Sequence, residues 1–231
     1  MSLAFPNTVL NTIAAEAIDE LAGKLEEKTS AGTPVPEAVI EVVKESYSAN
    51  KQVCFSGDNY DEAWHAEAEQ RGLKNLRTTP DALPEVLSEQ TVAAFENYDV
   101  LSKRELESRY EVWVEQYALR ANIEAETTHS IAKTMILPAA LRYLALIRDS
   151  GAALGVADEV KGMLESLGKA LAELETANAP NELDGMDLAL HARDEQIAAM
   201  AVVREAADKL ERVVADDLWP LPKYEEMLFI K

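Results

Sequence analysis

Residues 102–150 read SKRELESRYEVWVEQYALRANIEAETTHSIAKTMILPAALRYLALIRDS, and the fold turns on whether this run is one helix. Ser102-x-x-Glu105 is a capping box, in which the serine side chain and the glutamate three residues on satisfy each other's backbone N–H groups at a helix start. Leu106, Tyr110, Trp113 and Tyr117 then follow at steps of four and three, the spacing of one helix face. The stripe continues through Ala121, Glu124, Thr128, Ile131 and Met135, so two polar side chains interrupt it. Pro138 removes a backbone hydrogen bond and clashes with the carbonyl of Thr134, a cost of about 3 kcal/mol in a helix interior. The expectation is a long helix kinked near Pro138 and ending near Ser150-Gly151.

Downstream, Val160, Leu164, Leu167, Leu171 and Leu174 form a heptad seam closed by Asn178-Ala179-Pro180-Asn181. Met200, Val203, Ala207, Leu210 and Val214 form another before Trp219-Pro220. Apolar seams joined by short connections predict an antiparallel helical bundle over about 102–218. The segment from Leu218 to Ile230 is too apolar to dangle, and is expected to dock on its own bundle or on a neighbouring subunit.

Upstream the pieces are shorter. Val9, Ile13, Ala17 and Leu21 make an i, i+4 stripe on a first helix, and Val39, Ile40, Val42 and Val43 form the expected inner face of a second, beginning at Pro36. A short strand is expected at most near residues 53–55. Asp61 to Gly72 reads as a short helix, and Thr78-Thr79-Pro80 opens another with Leu83, Val86 and Leu87 as its buried set. Only 9 Gly and 9 Pro in 231 residues support an all-α fold, with short helices wrapping some larger body in the first half.

With 22 basic against 42 acidic side chains the net charge is −20, which repels nucleic acid and anionic membrane surfaces. Cys54 is the lone cysteine, so no intrachain disulfide or thiolate metal cage is expected, and between Val53 and Phe55 it reads as a small buried hydrophobe. A Cys54–His65 dyad is the weaker reading. No run of about 18 apolar residues is evident as a membrane span, and the expected location is cytoplasmic.

Glu62-x-x-His65 and Glu126-x-x-His129 have the spacing of the pairs that hold di-metal centres in four-helix bundles. Such a centre also needs inward glutamates from two further helices. Here one pair sits on the long helix and the other on a short element beside a turn. With acids at 42 of 231 positions, two such coincidences need no design. Glu62, His65, Glu126 and His129 therefore stand only as candidate metal ligands. The chain carries no Gly-rich phosphate loop, serine elbow or dinucleotide fingerprint.

An ordered set of segments carries a resemblance. Pro6-Asn7-Thr8-Val9-Leu10-Asn11, Phe55-Ser56-Gly57-Asp58-Asn59-Tyr60 with Trp64, and Arg71-Gly72-Leu73-Lys74-Asn75-Leu76 come first, followed by Thr79-Pro80-Asp81-Ala82-Leu83-Pro84. Ser108-Arg109-Tyr110-Glu111, Asn122-Ile123-Glu124-Ala125-Glu126-Thr127, Ile136-Leu137-Pro138-Ala139 and Leu218-Trp219-Pro220-Leu221-Pro222-Lys223-Tyr224 complete it. In this order they resemble the C-terminal region of type III glutamine synthetases. The resemblance implies a parent enzyme that ligates ammonia to glutamate with ATP and a divalent metal, Mg or Mn, in a ring-shaped homo-oligomer. The family's metal, nucleotide and substrate residues lie in motifs upstream of the Pro6-Asn7 helix, so this chain is expected to be inactive alone and to carry no catalytic, cofactor or metal residue. Residues 1–100 would be the tail end of the synthetase catalytic domain and 102–231 a type III-specific helical domain. The expected partners are the missing N-terminal catalytic portion and other subunits. The rival is a free-standing helical-bundle interaction protein or a di-metal carboxylate protein.

Overall fold

The computed structural model of the protein describes residues 3–151, 155–179 and 182–228. All regular structure among them is helical. The chain divides into two compact units, Met1–Tyr110 and Glu111–Lys231, with the division falling inside the long helix.

In the first unit, α1 (Ala4–Ser30) and α2 (Val35–Ala49) are joined by a turn at Gly32, whose φ of 96° only a glycine adopts easily. Lys28 Nζ donates to Glu41 at 3.0 Å and Glu45 at 2.9 Å, which clamps the two helices and raises the lysine's pKa. A 3₁₀ turn (Lys51–Val53) stands where at most a short strand was expected, and Cys54 is exposed rather than buried. α3 (Glu62–Gln70) is capped by Asp61, which accepts from Ala63 N. Its Trp64 stacks on Phe55 with ring centroids 3.9 Å apart, and Arg71 covers Trp64 while donating to the Cys54 carbonyl at 3.0 Å. A Cβ at Gly57 would come within 2.7 Å of the Phe55 ring, so glycine is needed for this close approach. α4 (Thr79–Ala82) starts at its Thr78 cap with Pro80 in the first turn, and runs into a 3₁₀ turn, Leu83–Leu87, whose Leu83, Val86 and Leu87 are half-buried. α5 (Glu89–Asn97) buries Ala94 and Phe95, and Phe95 stacks on Phe5 of α1.

The burial expected of α1 and α2 is not what the structure shows. In α1 the one buried residue is Thr12, while Ile13 and Ala17 of the expected core stripe face solvent. In α2 only Ala38 and Val42 are buried, and Val39, Ile40 and Val43 are exposed. Periodicity marks which residues share a face and says nothing about which face is covered.

The long helix exists as α6 (Lys103–Ile131), a π turn (Ala132–Ile136) and α7 (Leu137–Asp149), continuous through Pro138. The capping box is formed, with Ser102 N and Oγ both donating to Glu105 Oε2 at 2.8 Å. These bonds hold the Glu105 carboxyl below its ordinary value, so the box contributes above the usual carboxylate range and is lost as pH falls through the lowered pKa. Proline cannot donate to the turn before it, and the wider π turn takes up that disruption.

Leu106 and Ala121 of the expected stripe are buried, but elsewhere the buried line runs one residue later in the chain than expected. Val114, Ala118, Ala121, Ala125, Ala132 and Ile136 are buried, while Trp113 and Tyr117 are half-buried on the flank. Large aromatic residues suggest the seam, but small alanines let a neighbouring helix approach. Glu124 consequently does not break the seam. It is exposed, and Ala125 takes the buried place.

In the second unit α7 packs on α8 (Val156–Ala177), and α8 on α10 (Ile197–Glu211), which continues α9 (Gly185–His191) through another π turn, Ala192–Gln196. Every member of the Val160–Leu174 seam is buried, as are Val203, Ala207, Leu210 and Val214 opposite. Leu218, Trp219 and Leu221 dock on this core, as expected of the apolar tail. The α11 helix (Tyr224–Leu228) follows, and Phe229 and Ile230 lie outside the described residues.

One helix, Lys103–Asp149, is long and apolar enough by length and composition to cross a membrane, contrary to the sequence reading. Its Ile136, Ala140 and Leu144 belong to the core shared with α8 and α10.

Leu167 is fully buried at the centre of the seam. Leu167→Ala is expected to cost about 2–5 kcal/mol in urea unfolding, while Val43→Ala, on an exposed site, changes stability by less than about 0.5 kcal/mol.

Candidate functional site

Glu126 and His129 share the long helix but are committed to different neighbours. Glu126 accepts from Asn122 Nδ2 at 3.1 Å. His129 places Nε2 3.8 Å from Glu175 of α8, too far for a hydrogen bond, and that nitrogen is buried without a hydrogen-bond partner among the described residues. Lys133 approaches the same Glu175 oxygen at 3.6 Å. A lysine ammonium beside the one carboxylate near the imidazole opposes a divalent cation there. Glu62 lies 3.8 Å from Arg77, and His65 is half-buried on the same short helix. The two pairs belong to different compact units. No three His, Cys, Asp or Glu side chains gather as metal ligands among the described residues. Among the described residues these four side chains do not form one donor set for a metal.

The polar cluster that does converge was not marked by any motif. Gln196, at the end of the second π turn, is buried, and its Nε2 donates to Asn122 Oδ1 at 3.0 Å and Asn178 Oδ1 at 3.2 Å. Three elements meet there: the long helix, the end of α8, and the start of α10. His191, one turn earlier, places Nε2 3.0 Å from the carbonyl oxygen of Ala177. These amides tie the chain turn after α8 to both neighbouring helices. They offer no nucleophile and no general base. In the sequence, Asn178 reads as part of a helix stop and Gln196 belongs to no motif, although it lies four residues before Met200 on the line of the α10 seam.

Of the cavities along this bundle, two lie beside His191 and Trp219. One of about 910 Å³ is lined by Glu173, Glu182, His191 and Glu195 with Leu183 and Val202, and its acids are solvated rather than convergent. The other, about 550 Å³, is lined by Thr128, Ile131, Ile136, Met200, Arg204 and Trp219 among others. The Trp219 Nε1 hydrogen is buried with no acceptor among the described residues. Neither cavity holds a pairing of nucleophile, base and anion-stabilising donors.

Residues 38–154, just over half of the chain, match the family model described as the glutamine synthetase C-terminal domain. The chain belongs to the glutamine synthetase C-terminal domain family. Curated relatives agree with this membership. The type-3 glutamine synthetase of Dictyostelium discoideum is 31% identical over 98% of this chain and 33% of its own length. The glutamine synthetase of Butyrivibrio fibrisolvens is 30% identical over 86% of the chain and 30% of its own length. That of Bacteroides fragilis (strain YCH46) is 25% identical over 96% and 33%. The chain thus spans about a third of the length of the curated relatives it matches. The family match begins inside α2 and continues past α7, across the division between the two units.

The amide cluster sets a stability expectation. Gln196→Leu removes the donor from two half-buried amide oxygens, and the loss of the two hydrogen bonds costs about 1–3 kcal/mol in all. Urea unfolding monitored by far-UV circular dichroism is expected to show a loss in that range with helicity retained before the transition.

Proposed function

We propose that this chain is the C-terminal structural region of a type III glutamine synthetase, whose whole polypeptide ligates ammonia to glutamate at the expense of ATP with a divalent metal. The chain's own part is to brace the catalytic portion and to supply contacts between subunits of a homo-oligomer. Residues 1–100 close the catalytic domain and 102–231 form the helical extension. The observation that carries this reading is the near-complete alignment of the chain with only about a third of each relative. An enzyme chain with its own activity would not be expected to match so small a share of three synthetases so continuously.

The geometry supports a bracing role. Polar side chains that converge in the second unit, Asn122, Asn178 and Gln196, are spent on joining helices. Of the residues named as candidate ligands, Glu126 accepts from Asn122 and Glu62 lies beside Arg77. ATP and the metal would be held by the catalytic portion, and this chain contributes no ligand to either. The acidic character keeps the region away from nucleic acid. Its location would follow that of the parent, in the cytoplasm.

The test is a chimera joining the upstream two-thirds of the Dictyostelium discoideum enzyme to this chain, compared with the same upstream part alone. The chimera is expected to be a soluble oligomer that forms glutamine from glutamate, ammonia and ATP. The upstream part alone and this chain alone are expected to form none. Glutamine formation by this chain alone would overturn the reading, as would a chimera no better than the truncated enzyme.

A further inference from the structure

Helices α1 and α2 carry apolar residues on more sides than the first unit covers. On α1, Phe5 stacks on Phe95 of α5 with ring centroids 6.1 Å apart, and the buried Thr12 and Asp19, which accepts from Tyr98 Oη at 3.0 Å, lie on the same side of the helix. At 3.6 residues per turn, Leu10, Ala14 and Ala17 lie about half a turn away from that contact. They are exposed, Leu10 at 60%.

The second helix repeats the pattern. Val35, Val39, Val43 and Tyr47 recur every fourth residue, and Val39 and Val43 are 41% and 61% exposed. Glu41 and Glu45, which hold Lys28, lie on the opposite edge, with Ala38 and Val42 buried between the two edges. The ion-paired edge closes the hairpin and leaves the valine edge facing water. A helix apolar on more than one side is ordinarily a buried helix, and exposed apolar stripes on adjacent helices mark an interaction surface.

We infer that the uncovered valine stripe of α2 and the Leu10–Ala17 face of α1 are the seat of the polypeptide that precedes this third in the relatives, the catalytic two-thirds of the synthetase. This assignment rests on the proposed function and adds the surface that carries it. Two observations select that occupant over a second copy. The relatives are about three times the length of the aligned segment, so a body of about twice this chain's size remains to be placed. The hairpin itself, residues 4–49, holds eight acidic side chains against three basic ones, so two copies meeting face to face would bring like charges together. The fitting partner is an apolar face with a basic rim.

The experiment uses the chimera of the preceding subsection and the full 231-residue chain. Hydroxyl-radical footprinting of Val39, Val43 and Tyr47 is expected to show at least fivefold protection in the chimera relative to the isolated chain. V39D/V43D and L10D/A17D are expected to leave the isolated chain's helicity and melting temperature unchanged and to lower glutamine formation by the chimera at least tenfold. Unchanged footprints, or substituted chimeras as active as the unsubstituted one, would overturn the surface while leaving the proposed function standing. An isolated chain that is dimeric and becomes monomeric with V39D/V43D would assign the face to a second copy instead. An unsubstituted chimera that forms no glutamine would refute the proposed function and this surface with it.

Discussion

The packing of α8 against two helices whose contact lines mix alanine with larger apolar residues is the constraint on which the second unit depends. Ala125, Ala132 and Ala140 on the long helix, and Ala206 and Ala207 on α10, share one core with Leu164, Leu167, Leu171 and Leu174. Small residues on the flanking helices bring the backbones close, and the leucines of α8 fill the space between them. The same closeness puts Gln196 within reach of Asn122 and Asn178. The amide cluster is therefore a consequence of the seam, and it fixes where the chain turns between α8 and α9.

Much of this was legible. The heptads of α8 and α10 contain one large apolar residue per turn on a single face, and every one that the pattern selects is buried or half-buried in the structure. The capping box at Ser102 and Glu105 fixes the start of the long helix through local hydrogen bonds, which a sequence window can show. The seam of the long helix was less legible because its aromatic residues, Trp113 and Tyr117, sit beside the contact and not in it. Reading Ala125 instead of Glu124 as the buried residue requires knowing how close the neighbouring helix lies.

The candidate site was legible only as a question. A Glu-x-x-His spacing puts two side chains on one helix face, but their role is set by Glu175, Lys133 and Asn122, which the spacing does not mention. Gln196 was illegible for a related reason: it stands four residues before Met200, on the line of the α10 seam, but a glutamine there names no partner, and Asn122 and Asn178 lie far off in sequence. The first unit adds a different lesson. Val39 and Val43 were read as core because valines at helical spacing are meant to be covered, and here the described chain does not cover them.

The two units therefore differ in kind: one buries its own seams, and the other leaves apolar helix faces to be covered. Hydrogen exchange on the isolated 231-residue chain tests this most directly, because amide protection reports how strongly each helix is held by its own packing. The account predicts that amides around Leu167, Leu174, Val203 and Leu210 exchange only through global unfolding, whereas those of α1 and α2 exchange orders of magnitude faster. Equal protection in α1, α2 and the bundle would contradict it.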